Sequence, residues 1–191
     1  YSFTSFSTLA IAAARKALEM GTVAVFAANK RGAQGAIGLA EELSIQLSQE
    51  LGLLPRPYQY ADQSKLNPVI DYLTTEYGKN WIGTQTVKSG AVLHHGDIPQ
   101  ETREVLEGLL RQEAVRFVIC TSTLAEGVNL PIRTLVLYSV QRSSGQQPVP
   151  LFARDIKNLV GRAGRAGSTT KGLVICVNEG QWHLVERVAK D

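Results

Sequence analysis

The sequence predicts an α/β domain, with a mostly parallel central sheet flanked by helices. Three observations carry that prediction. The short runs "TVAVFAA", "GAVLHH", "VRFVIC", "TLVLYSV" and "GLVICV" are almost continuously apolar, as strands are when both faces are covered. Amphipathic or Ala-rich stretches long enough for helices separate most of them. Turn residues punctuate the alternation, which is the pattern of βα units rather than hairpins.

Taken in order, "STLAIAAARKALEM" reads as a helix, with Ser7 or Thr8 as its N-cap and Gly21 as its stop. The strand "TVAVFAA" follows. "RGAQGAIGLAEELSIQLSQEL" reads as a second helix, because Ile37, Leu39, Leu43 and Leu47 recur at roughly helical spacing. Gly52, Pro55 and Pro57 mark a connection over 52–63. "NPVIDYLTTEY" suits a helix capped by Asn67, with Pro68 at its first position. The second half alternates more regularly. "GAVLHH" leads to the helix "PQETREVLEGLLRQ", which starts at Pro99, and "VRFVIC" and "TLVLYSV" are the next strands. "PLFARDIKNLV" is a helix, "GLVICV" a strand and "QWHLVERVAK" a terminal helix. No internal repeat interrupts the series.

Composition narrows the class. The chain has 191 residues, 44% of them hydrophobic and 19% charged, enough for one domain with a real core. We expect a single domain over 1–191, its motif-bearing core at about 22–177, and a chain that starts without Met to be a piece of a longer protein. The net charge of +3 is mild, but Arg154, Lys157, Arg162, Arg165 and Lys171 stand against Asp155 alone between 154 and 171. Cys120 and Cys176 each lie in an apolar strand-like run, which suits buried thiols and an intracellular compartment, cytoplasmic or, in a eukaryote, nuclear. No apolar run approaches the roughly 18 residues that a membrane span needs.

In open parallel sheets ligands gather at the carboxyl ends of the strands. Four polar segments follow such ends, directly or after one more helix. "NLVGRAGRAG" sets Arg162 and Arg165 three residues apart within Gly161, Gly164 and Gly167. Glycine in a helix costs about 1 kcal/mol relative to alanine, so three of them suggest a backbone that must approach something closely. Two guanidiniums at i, i+3 can converge on one anion; the plainer reading is a Gly-rich basic loop. "VRFVICTSTLAEGVNLP" places Thr121, Ser122 and Thr123 directly after a strand, where hydroxyls and open N–H groups suit phosphate oxygens, and Asn129 could reach a sugar hydroxyl. The plainer reading there is a helix N-cap. In "HHGDIPQETR" the chain turns at Gly96, and Asp97 and Arg103 read most simply as a cap and a surface ion pair. "NKRG", at 29–32, follows the first strand.

In order and spacing these segments resemble the second RecA-like domain of superfamily-two DExH helicases, a three-layer fold. "VAVFAANKR" is similar to motif IV, "HGDIPQETR" to the stretch before motif V, "CTSTLAEGVNLP" to motif V, and "NLVGRAGRAG" to motif VI. The double His, the wording of motif V and the long approach "QRSSGQQPVP" look most like the Ski-type subfamily rather than the DEAD-box proteins. The resemblance runs from about 22 to 177 and is specific over 94–167.

The resemblance implies that ATP with Mg²⁺ lies between this domain and an upstream RecA-like domain of the same polypeptide. Arg165 then stands as arginine finger and Arg162 as a second γ-phosphate contact, both catalytic, with Gly161 and Gly164 letting the turn approach the other domain. Gly127 and Asn129 fall where motif V touches the nucleotide. Asn158 stands where motif VI usually has Gln. Thr121 and Ser122, with Asn29, Lys30, His95 and Gly96, fall on the track of a single-stranded or partly duplex nucleic acid, DNA or RNA. The chain has no G-x-x-x-x-G-K-[ST] and no Asp-Glu dipeptide, so the phosphate cradle and the metal ligands are expected upstream and the isolated chain is expected not to hydrolyse ATP. Two rivals are a degenerate helicase-like module that binds nucleic acid or protein without turnover, and a Rossmann-type enzyme. The second lacks a G-x-G-x-x-G after its first strand.

Overall fold

The computed structural model describes residues 5–32, 35–49, 53–127, 132–144, 147–151, 155, 157–158, 161 and 172–190. Five strands form one all-parallel sheet: β1 (Val23–Phe26), β2 (Ala91–His94), β3 (Phe117–Cys120), β4 (Thr134–Leu137) and, after a separate ribbon of β5 (Gln141–Ser144) and β6 (Gln147–Pro150), β7 (Leu173–Cys176). Their order across the sheet is β2-β3-β1-β4-β7. The register is continuous, with Val23 beside Phe117 on one side and beside Thr134 on the other.

Alternation along the strands feeds two cores. Ala24, Phe26, Val92, Val118, Leu135 and Leu137 face one layer, which holds α3 (Gln63–Tyr77) and α5 (Gln100–Arg111) through Leu66, Leu73, Leu106, Leu109 and Leu110. Val23, Val25, Leu93, Phe117, Ile119 and Val136 face the other, where α1 (Phe6–Ala17) and α2 (Ala36–Ser48) supply Ile11, Ala14, Leu39 and Leu43. Helices on both faces of a parallel sheet make the expected three-layer RecA-like α/β domain. Strands β1 to β4 are buried along their whole length, which explains their unbroken apolar runs. Among the described residues no helix is long and apolar enough to cross a membrane.

Several boundaries depart from the sequence expectation. The cap of α1 is Ser5, whose Oγ accepts from the Thr8 N–H at 3.2 Å. Helix α2 begins at Ala36 rather than Arg31, because the chain first closes a turn: Gly35 N–H donates to Gly32 O at 2.9 Å, and Ala36 N–H to Asn29 O at 2.9 Å. Asp62 rather than Asn67 caps α3, its Oδ1 accepting from the Ser64 N–H at 3.0 Å. Pro68 therefore lies inside the helix, on an exposed side where water can serve the carbonyl that lacks its N–H partner. Helix α4 (Ile82–Lys88) has no sequence signal: β-branched residues and Gly83 are weak helix formers, and it stands because Gly83, Thr84, Thr86 and Val87 are buried. Within "QRSSGQQPVP", residues 141–144 and 147–150 pair as a two-stranded antiparallel ribbon, in which Pro148 and Pro150 are tolerated because both strands are edges. Two further α-helices are α6 (Ser122–Gly127) and α7 (Trp182–Lys190). Most of the helix expected over "PLFARDIKNLV" lies outside the described residues; 155, 157 and 158 within it are helical.

Two polar arrangements tie the layers together. Arg15 of α1 is 1% exposed and donates to Pro55 O at 3.0 Å, Leu54 O at 2.9 Å and Gln46 Oε1 at 3.3 Å. Burial and the nearby Arg56 lower its pKa, and its acceptors are neutral oxygens rather than a carboxylate. At the end of β2, the buried His94 meets Glu107 of α5, Nε2 to Oε1 at 2.9 Å, while the other Glu107 oxygen takes Arg111 at 3.3 Å. Burial holds the His94 imidazole below its ordinary pKa of 6.5, outweighing Glu107, while Arg103 pushes the same way as burial.

Two predictions follow from this packing. A Cβ on Gly90, at φ +83°, would lie 2.4 Å from the Tyr58 backbone nitrogen, so Gly90→Ala should cost about 2–3 kcal/mol, read as a lower urea midpoint at unchanged m-value. Because the native pKa of His94 is depressed, its contribution is complete above 6.5 and is lost as pH falls from 6.5 towards the native value. Stability should drop between pH 7.5 and 5.5, and His94→Gln should flatten that slope by at most about 1.4 kcal/mol per pH unit.

Candidate functional site

The carboxyl edge of the sheet is assembled by backbone hydrogen bonds that run one residue past the strands. Thr121 N–H donates to His94 O at 3.2 Å, Ala27 N–H to Cys120 O at 3.0 Å and Tyr138 N–H to Phe26 O at 2.9 Å. The loops after β2, β3 and β1 therefore leave the sheet side by side, in that spatial order. They carry His95 and Gly96, then Thr121 and Ser122, then Asn29 and Lys30. The structure brings together all six residues expected on the nucleic-acid track.

Each has a local cause. Asn29 pairs with Gly35 in an isolated bridge, and Ile37 N–H donates to Lys30 O at 3.1 Å, so the backbone beneath Lys30 is closed on itself at the start of α2. Gly32 takes φ +84°, which the turn needs and a side chain would resist. The loop after β2 turns through an Ile98 N–H to His95 O bond of 3.2 Å. A Cβ on Gly96 would stand 3.2 Å from Thr123 Oγ1, so this turn sits close against α6. Thr121 occupies the position before α6 and is buried; its Oγ1 lies 3.4 Å from Thr123 Oγ1, and Leu124 N–H donates to its carbonyl at 3.2 Å. Ser122 is half-buried. Helix-opening backbone at a strand end is a setting for anionic oxygens, although α6 itself is short.

Charge at this edge is specific. Lys30 Nζ lies 2.5 Å from Asp97 Oδ1, and Arg31 Nη2 lies 3.5 Å from Oδ2 of the same carboxylate. The Lys30 hydrogen bond, chiefly, holds the Asp97 carboxyl below its ordinary range. His95 is buried, its Nδ1 without a hydrogen-bond partner, and burial lowers its pKa despite the neighbouring Asp97. The simpler expectations for Asp97 and Arg103 do not hold. Helix α5 takes Pro99 as its N-cap with no side-chain cap bond, Asp97 reaches across to the β1 loop instead, and the Arg103 Nε is buried without a hydrogen-bond partner.

The nucleotide-side residues are only partly in view. Gly127 ends α6, and Asn158 is helical and exposed. Gly161 is exposed, and its N–H closes the turn on Lys157 O at 2.8 Å. A Cβ there would lie 3.1 Å from that same oxygen, so the tight contact at Gly161 is with its own helix. Arg162, Arg165, Gly164 and Asn129 lie outside the described residues. Among the described residues no three His, Cys, Asp or Glu side chains gather as a metal site. Sequence reasoning missed the Asp97 bridge to Lys30 and Arg31, and the pairing of Glu107 with His94. The second had a signal: a histidine closing a strand buried on both faces needs a polar partner from a packed helix.

Comparison with known proteins agrees with this geometry. Residues 65–167 match the helicase conserved C-terminal domain, more than half of the chain. DNA polymerase theta of Mus musculus is 38% identical over 120 residues, covering 61% of this chain and 5% of its own length. The ATP-dependent DNA helicase Hel308 of Aeropyrum pernix is 38% identical over 93 residues, 49% of this chain and 13% of its own. The probable helicase HelY of Mycobacterium leprae is 36% identical over 97 residues, 51% of this chain and 10% of its own. The chain thus spans only a small part of each relative. With a parallel sheet of the expected kind, and a family match that takes in the loops after β2 and β3, the chain belongs to the helicase conserved C-terminal domain family.

Proposed function

We propose that this chain is the second RecA-like half of an ATP-dependent helicase or translocase of the Ski type, working with an upstream RecA-like domain of the same polypeptide. The observation that carries the reading is the meeting of the loops after β1, β2 and β3 at one carboxyl edge. Lys30, Asn29, His95, Gly96, Thr121 and Ser122 grip the phosphate backbone there, without reading its sequence. The relatives named as a DNA helicase and a DNA polymerase favour DNA as the track.

Bound ATP with Mg²⁺ supplies the phosphoanhydride whose hydrolysis drives the cycle, and its metal ligands belong to the upstream domain. Arg165 would neutralise charge developing on the transferring phosphoryl group, and Arg162 would be a second contact to the γ-phosphate. Gly127, Asn129 and Asn158 contact the nucleotide from this side of the cleft. Asn158 is one methylene shorter than the usual Gln, so its amide reaches the γ-phosphate through a water or not at all. The expected single domain, with its motif-bearing stretch at about 22–177, follows from the same reading, and thiols carried on strands β3 and β7 support an intracellular setting.

ATP hydrolysis by the full-length protein, measured alone and with single-stranded DNA or RNA, tests the reading. Single-stranded DNA should stimulate turnover. Arg165→Ala should then lower kcat by about 10³-fold or more, with Arg165→Lys little better, because lysine lacks the planar fork. Turnover indifferent to both nucleic acids, or an Arg165→Ala protein within twofold of the parent, would sink the proposal.

A further inference from the structure

We infer that Asp97 is a built-in stand-in for a nucleic-acid phosphate: it holds Lys30 and Arg31 when no strand is bound, and surrenders them when one arrives. The inference deepens the proposed function and rests on its reading of the Asn29–Lys30 loop as part of the nucleic-acid track.

Asp97 sits three residues before the first residue of α5, whose N-cap is Pro99 and which has no side-chain cap bond, so its carboxylate makes no cap. Its two oxygens go instead to two cations on another loop, Lys30 at 2.5 Å and Arg31 at 3.5 Å. One carboxylate shared by two cations leaves the loop offering a net charge of about +1 where the bare loop would offer +2. A phosphodiester presents the same pair of anionic oxygens to the same donors.

The backbone on both sides is fixed. The β1 loop is closed by bonds from Ala36 N–H to Asn29 O and from Ile37 N–H to Lys30 O, and the β2 turn by Ile98 N–H to His95 O. Exchange of partner therefore needs side-chain rotation alone. The side chains of Lys30, Arg31 and Asp97 are 47%, 77% and 37% exposed, so solvent screens the pair and an incoming strand can reach it. Surface pairs of this kind contribute little stability, which makes the contact cheap to exchange. Asp97 lowers resting affinity for polyanions and makes binding less sensitive to salt.

The test is binding of a fluorescent single-stranded oligothymidylate to the full-length protein between about 50 and 200 mM salt. Asp97→Asn should bind about three- to tenfold more tightly at the low-salt end, with the slope of log K against log[salt] steeper by about 0.7. Asp97→Glu should stay near the parent, and Asp97→Ser should repeat the Asn result should that variant fold poorly. The double variant Lys30→Ala/Arg31→Ala should weaken binding, and Asp97→Asn should add nothing on that background. An unchanged or weaker Asp97→Asn beside a weakened double variant overturns the stand-in and leaves the track in place. A gain that persists without Lys30 and Arg31 also overturns it. A double variant that binds like the parent removes this loop from the track, and the inference with it.

Discussion

The constraint on which the rest depends is the fate of the last backbone groups of a buried parallel strand. Each strand of the sheet core is covered on both faces, so an N–H or C=O that outlasts its strand must find a neighbour or lie unsatisfied. Thr121, Ala27 and Tyr138 solve this by extending the ladder one residue beyond β3, β1 and β4. Three loops thereby start from a common line, whatever their later course. Placement of the basic, hydroxyl and glycine residues at one edge is a consequence of sheet registration rather than of contacts among those residues.

Polar groups near that line are arranged by helices behind it. His94 closes β2 within the core and is answered from α5 by Glu107, which also holds Arg111. The next residue, His95, begins the turn whose carboxylate crosses to the β1 loop. A chain of contacts thus runs from a helix on one face of the sheet, through a strand end, to the start of a helix on the other face. Neutral imidazoles serve in it because burial opposes their charging.

Much of this was legible in the sequence, and the parts that were not have definite causes. The strands announce themselves because double-sided burial demands uninterrupted apolar runs. The loops announce themselves because glycine, small hydroxyls and basic residues cluster directly after those runs. Helix α4 was invisible because its residues are poor helix formers held by tertiary packing, and the ribbon of β5 and β6 because its prolines argue against strands anywhere but an edge. Caps were misplaced at Ser7 or Thr8 and at Asn67 because several residues at each start could accept the same N–H, and only the turn geometry selects Ser5 and Asp62. The meeting of Asp97 with Lys30 joins residues 67 apart in the chain, a separation at which local pattern carries no information about contact.

The buried Arg15 gives the far end of the sheet a mechanical character. Its guanidinium fastens α1 to the carbonyls of Leu54 and Pro55, and the connection that follows is seated on Gly90, just before β2 begins. Helix, connection and strand base are clamped as one block, with a planar five-donor head that no lysine could replace. The base of the domain is thus held by a side chain donating to backbone carbonyls, at the end of the sheet opposite the loops that carry Lys30 and Asp97.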